Sequence, residues 1–160
     1  MIYSKYARNK LIDAALRGGD LVFPSTYYLA LLTSKPTAAD AYTEIGNTIA
    51  NGYTRVAIPA NASNWSSTAG SLDTSTTSTG ELSTSNNINA INFPNPSGGN
   101  WFHGAGPDAS TIKYIGLFDS GTIGSGNLWF FSPLGSEKSI LSTDFNISIA
   151  PTGLKFNFDK

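Results

Sequence analysis

Hydrophobic and polar positions alternate along this chain in short blocks, except at its start. From Lys5 to Arg17 there is no Gly or Pro, and Ala7, Leu11, Ala14, Ala15 and Gly18 fall on one stripe at three-and-four spacing. Lys5, Arg8, Asn9 and Asp13 turn away from that stripe. Ser4 can cap the segment and Gly18-Gly19 supplies a left-handed stop, so the pattern predicts one short helix. Its apolar side is thin and made of small side chains. Such a face allows close approach to a sheet or a neighbouring chain and gives little independent stability.

After Pro24 the pattern predicts strands. Residues 27–32 (YYLALL) form an apolar run of strand length. In 53–58 (YTRVAI), Tyr53, Arg55 and Ala57 face one way and Thr54, Val56 and Ile58 the other, until Pro59 ends the segment. Residues 88–93 resume strand character, and 112–119 (IKYIGLFD) are apolar on both faces, as a central strand would be. Three glycines in 120–126 read as a hairpin connection into 127–132 (NLWFFS), and 133–138 read as a turn. Residues 144–150 and 154–158 alternate again. Residues 37–51 and 66–87 read as long polar loops, 94–99 as a break and 101–108 as irregular. These blocks predict a mainly β fold: an antiparallel β-sandwich or barrel with one short N-terminal helix and long polar loops. No βαβ rhythm and no internal repeat is visible. The expected organisation is a single β-rich domain over 1–160, with a helix or arm at 1–19 and a sandwich at 20–160 that carries the Ser/Thr-rich loop 66–87.

Composition narrows the classes. A chain of 160 residues fits one domain, and 40 % apolar with 12 % aromatic residues is enough for a core. A net charge of −1 with only 13 % charged residues argues against nucleic acid as a main partner. No stretch approaches the roughly 20 apolar residues that span a bilayer, so no membrane partner is expected. The first 17 residues, interrupted by Lys5, Arg8, Lys10 and Asp13, do not read as a secretory signal. With no cysteine there are no disulfides, thiolate metal sites or cysteine nucleophile. Ser, Thr, Asn and Gly make a neutral surface suited to packing against other proteins.

Candidate chemistry is sparse. The single histidine, His103, has no GxSxG, HExxH or paired-histidine motif to support it, and reads as a loop residue beside Trp101. The acids sit mostly at turns, where Asp bonds local backbone. No calcium loop is present, and 121–126 (GTIGSG) precedes a strand, so it is a turn and not a phosphate cradle. No catalytic residue, metal ligand or cofactor is expected. Trp65, Trp101 and Trp129 with the tyrosines offer either a carbohydrate-stacking surface or, more simply, plugs for sheet ends and subunit interfaces.

Several segments, taken in order, resemble a family of small tailed-bacteriophage virion proteins of tail-fibre-like type. They are the helix from Asn9 to Gly18, then Tyr27–Thr33 with Pro36, Glu44-Ile45, Gly52-Tyr53-Thr54-Arg55-Val56, Ile91-Asn92-Phe93-Pro94, Tyr114–Ser120 (YIGLFDS), and Gly126-Asn127-Leu128-Trp129. The family carries a "lyvaLfts" strand, a "GYaR" strand and a "higlfda…gnll" hairpin. The resemblance implies a non-enzymatic structural protein of a tailed-phage virion, made in the host cytoplasm. Capsid decoration (cement) on the outer shell is the first expectation, a tail-fibre or tail-tip component the second, and a module for host glycans the third. It implies major capsid protein or other virion proteins as partners, and a homotrimer. Tyr3, Tyr6 and Leu11 on the N-terminal segment, with Trp65 and Trp101, are the candidate interaction residues. That segment reads equally as a docking arm or as a cap on one open end of the sandwich.

Overall fold

The computed structural model describes residues 1–45, 52–66, 84–97, 99, 101, 111–141, 144 and 147–157. The order is β1 (Ile2–Tyr3), α1 (Lys5–Arg17), β2 (Thr26–Leu32), β3 (Val56–Pro59), β4 (Thr84–Asn86), β5 (Ile91–Asn92), β6 (Thr111–Phe118), β7 (Leu128–Ser139), β8 (Ser148–Ile149) and β9 (Lys155–Asn157). One five-stranded sheet runs β1-β7-β6-β2-β3, and two ribbons pair β4 with β9 and β5 with β8. All the pairings are antiparallel. The fold is thus mainly β, a sandwich with a short N-terminal helix.

β6 is the centre of the large sheet, as its two apolar faces predict. Leu29, Leu117 and Phe130 stand opposite one another across β2, β6 and β7 and share one face. That face packs Leu31 and Ile115 against Ile91, Phe93, Trp101 and Leu154 from the second layer. Ala30, Leu32, Phe118, Leu128 and Phe131 form a smaller cluster on the other face, covered by Tyr42 and Tyr114. Each fully buried Leu, Ile or Phe contributes about 1.5–3 kcal/mol by leaving water. Gly116 lies where β6 is most crowded. A Cβ there would meet Leu128 Cδ1 and Phe118 Cε2 at 2.9 Å, so the smaller cluster closes only over a glycine.

α1 has the predicted bounds and caps. The Ser4 hydroxyl accepts the Ala7 N–H, and Gly18 takes a left-handed φ of 70°. Asp40, from the loop after β2, accepts the Lys5 and Tyr6 N–H groups at 2.8 and 2.7 Å, which occupies the remaining first-turn donors with a carboxylate. Only Ala7 of the expected stripe is buried. Leu11 and Ala14 are half-buried and Ala15 is exposed.

Three expectations are corrected. Residues 133–138 do not turn: β7 runs on to Ser139. Only Phe130 and Phe131 pair with β1, so beyond them one edge of β7 carries no strand among the described residues, and Pro133 sits beside a register shift between Ile112 and Tyr114. The strand expected at 53–58 starts only at Val56, because Tyr53 and Arg55 are drawn into side-chain bonding. The loop expected over 66–87 ends in a strand, with Ser85 opposite Phe156. Residues 67–83, 102–110 and Phe145 and Phe158 lie outside the described residues.

Candidate functional site

β3 releases β2 at Leu29, the last residue it pairs. The edge of β2 beyond that point needs other partners, because a buried N–H or C=O left alone costs about 1–3 kcal/mol. The Tyr53 hydroxyl accepts the Leu31 N–H at 2.9 Å, and the Leu31 carbonyl accepts the Ile45 N–H at 2.9 Å. A side chain and a loop residue thus continue the edge where the strand stops.

Glu44 and Arg55 meet at the same edge. Arg55 Nε and Nη2 donate to the two Glu44 carboxylate oxygens at 2.9 and 2.7 Å, a bidentate pair with side-chain exposures of 0 % and 2 %. Arg55 Nη1 donates to the carbonyls of Ser120 and Ser125 at 2.7 and 2.9 Å, and Nη2 also donates to the Tyr42 hydroxyl at 3.4 Å. The guanidinium carbon lies 3.9 Å from the centre of the Phe118 ring. A guanidinium has five N–H groups, and all five are used here. Tyr53 donates its own proton to Glu44 Oε1 at 3.0 Å. Burial first, then the Glu44 charge, pushes the Tyr53 hydroxyl well above its ordinary range. Burial pulls the Arg55 guanidinium down, but the bonds and charge of Glu44 outweigh it and the net direction is up. With every donor occupied, Arg55 keeps none for a ligand. It is a clamp: it fixes the hairpin after β6, which Asp119 also holds by accepting the Asn127 N–H and Nδ2 at 2.6 and 2.8 Å.

No catalytic or metal-site motif marks these residues. The segments that carry the resemblance do contain them: Glu44-Ile45 and Gly52–Val56 converge with the distant Tyr114–Ser120 on this clamp.

The five expected interaction residues are spread over several places. Tyr3 packs edge-on against Phe130 at 5.1 Å and Tyr6 against Trp129 at 5.3 Å, so both are half in the core. Leu11 is half-buried on α1. Trp65 is half-buried, edge-on to Phe156 at 5.2 Å. Trp101 is not exposed, as a stacking platform would need. It is fully buried, with Tyr53 at 5.2 Å and Phe93 at 6.4 Å, and pairs through its backbone with Ile140. His103 lies outside the described residues.

Apolar surface remains open in several places among the described residues. On α1, Ile12 and Leu16 are 53 % and 80 % exposed, and in the connector to β2 Val22 and Phe23 are 75 % and 49 % exposed. Lys5, Arg8, Lys10 and Arg17 give this helix four cations against the single carboxylate of Asp13, a formal +3. Elsewhere, an open groove of about 670 Å³ is lined among the described residues by Tyr27, Ala60, Ala62, Trp65, Phe130 and Phe156, with Asn61, Ser66, Ser85 and Ile88. None of these groove residues is charged. No cluster of three metal-binding side chains occurs among the described residues, and no described helix is long and apolar enough to cross a membrane.

The model of a protein family described as Podophage GP4 fiber I protein gp80 matches residues 2–157. No curated protein matches the chain.

Proposed function

The chain belongs to the podophage GP4 fiber I gp80 family, a phage fibre-type structural family, and from that premise we propose that it is a non-enzymatic component of the tail fibres of the particle. The observation that supports this reading is where the segments that resemble the family meet. They build a clamp in which all five Arg55 N–H groups and both Glu44 carboxylate oxygens are bonded within the chain. The working surface is then the apolar area left open on α1 and in the groove, buried only in company with other virion proteins. Burial of that kind stabilises by roughly 25 cal/mol per Å², before the cost of ordering is subtracted. Many modest contacts repeated along an assembly add up through avidity.

Purified particles test the reading. Quantitative mass spectrometry should find few copies per particle, and antibody-labelled electron micrographs should place them on the tail. A copy number matching the shell lattice, with label over the capsid and particles that burst at lower temperature without the chain, would replace the fibre by a capsid decoration protein. Absence from particles would remove both. Binding of the intact chain to a glycan array, lost in Trp65→Ala, would move the role to host recognition.

A further inference from the structure

A separate cleft of about 410 Å³ opens where the first turn of α1, the connector to β2, the end of β6 and the start of β7 meet. Among the described residues its walls carry the rings of Tyr6, Phe23, Tyr28 and Trp129 and one charged group, Asp119. Three neutral donors aim that carboxylate: the Asn127 N–H and side-chain amide at 2.6 and 2.8 Å, and the Trp129 indole N–H at 3.3 Å. They orient it without cancelling its charge. The ion pairs of the described residues are Arg17–Asp13, Arg55–Glu44 and Lys113–Glu137, and none includes Asp119. Lys10 lies on the Tyr6 ring, 5.8 Å from its centre, and makes no ion pair with Asp119 either. A carboxylate can accept about four hydrogen bonds, so one place on it stays open. At the rim, Val22 and the Phe23 ring, which leans on Trp129 at 5.5 Å, are apolar groups that the chain itself does not cover.

We propose that this cleft takes a basic side chain of a neighbouring virion protein, with its guanidinium or ammonium head on the Asp119 carboxylate and its alkyl stem along Phe23 and Val22. The chemistry of the walls selects that occupant. An anion would be repelled by Asp119, and an apolar group would shut the carboxylate from water with no opposite charge, which is costly. A cation gains a charge-assisted hydrogen bond from an acceptor that is already held in place. The faces of Phe23 and Tyr28 add the attraction of an aromatic ring for a cation. The stem lies on apolar surface while the head stays polar, as long basic side chains do. The proposal rests on reading the chain as a component that works in company, and it assigns the kind of group that a partner presents to it.

Titration of the isotope-labelled full chain with N-acetyl-arginine amide tests it. The NMR signal of the Trp129 indole N–H is the reporter, because that group bonds Asp119. The signal should move saturably, with a dissociation constant of about 1–10 mM, and N-acetyl-lysine amide should move it as well. The neutral isostere N-acetyl-citrulline amide should bind at least about tenfold more weakly. Phe23→Ala changes a half-exposed ring, so the chain should stay folded and bind about threefold to tenfold more weakly. Asp119→Asn keeps an acceptor for Asn127 and should abolish the response, with thermal unfolding as the check that the hairpin persists. A signal that does not move up to about 50 mM arginine amide, or citrulline that binds as tightly as arginine, overturns the proposal. So does a folded Phe23→Ala chain that binds like wild type. A chain missing from particles would sink the fibre reading and leave the arginine titration standing. A chain found in fibres whose Trp129 signal ignores arginine would do the reverse.

Discussion

At the edge of β2 the charged and hydroxyl groups of Glu44, Tyr53 and Arg55 are all partnered and buried, whereas on the outer side of α1 two large apolar side chains project into water. The first region is built for itself. Its polar groups would be costly if any one partner were missing, so they must be placed together. The second is unfinished by the same standard, because burying Ile12 and Leu16 requires something the isolated chain does not supply. Stability is therefore written in the first region and not in the second, and substitutions should separate the two.

The largest effect is expected in the clamp. Arg55→Ala leaves the buried Glu44 carboxylate without its cation, with only the Tyr53 hydroxyl still donating to it, strips two loop carbonyls of the Arg55 donor, and should destabilise by about 3–5 kcal/mol, read from chemical denaturation midpoints. Glu44→Ala should cost a similar amount. The double variant Glu44→Leu with Arg55→Met should cost less than either single change, because it removes both charges together. If the single changes were nearly neutral, the clamp would not be what makes this region rigid.

The two loop tryptophans sharpen the same contrast. Trp101→Ala empties a fully buried site beside Tyr53 and should cost about 3–5 kcal/mol. Trp65→Ala removes a half-buried ring from the groove wall and should cost less than half as much. Equal losses of stability would mean that the groove belongs to the core.

These two tryptophans also show what the chain could and could not tell. Both stand in polar, loop-like stretches, and only contacts with distant segments make one a plug and the other a wall. α1 was legible because its cap, its stop and the absence of breakers are all local, and β6 because a central strand must be apolar on both faces. β7 is not legible at Pro133 and Gly135, which have the composition of a turn but are tolerated in a strand whose edge β1 covers at only two residues. The clamp was the hardest part to read. Arg55 in a strand pattern looks like an outward-facing charge, and nothing local shows that Glu44, Ser120 and Ser125 will meet it. Only the ordered likeness to a family contained those segments together.

A weaker effect follows from alkali. Burial first, then the charges near Tyr3 and Asp119, raises the Tyr27 phenol to about 12, and Tyr53 lies well above its ordinary range as well. In the unfolded chain both ionise near pH ~10. Above that pH the unfolded state holds fewer protons than the folded one, so stability is fully present below about pH 10 and falls as pH rises toward 12. Denaturation midpoints should be flat from neutral pH to about 10 and then decline. Tyr27→Phe should make that decline shallower, and an unchanged slope would place the alkaline loss elsewhere.

The smallest effect on stability is expected at the most exposed apolar side chain of α1. Leu16 is 80 % exposed, and its nearest charged neighbours on the helix, Asp13 and Arg17, form an exposed pair at 3.4 Å that contributes little. Leu16→Ser therefore removes almost no burial and only a slight helix preference, and should change unfolding free energy by less than about 0.5 kcal/mol. In a monomer that result has no further consequence. If this side of α1 meets a partner, the same substitution should lower that binding while the unfolding curve of the free chain stays on that of wild type. A clear loss of stability in dilute Leu16→Ser would show that α1 already buries this side chain within its own chain, and the contrast between the two regions would fail at its most exposed residue.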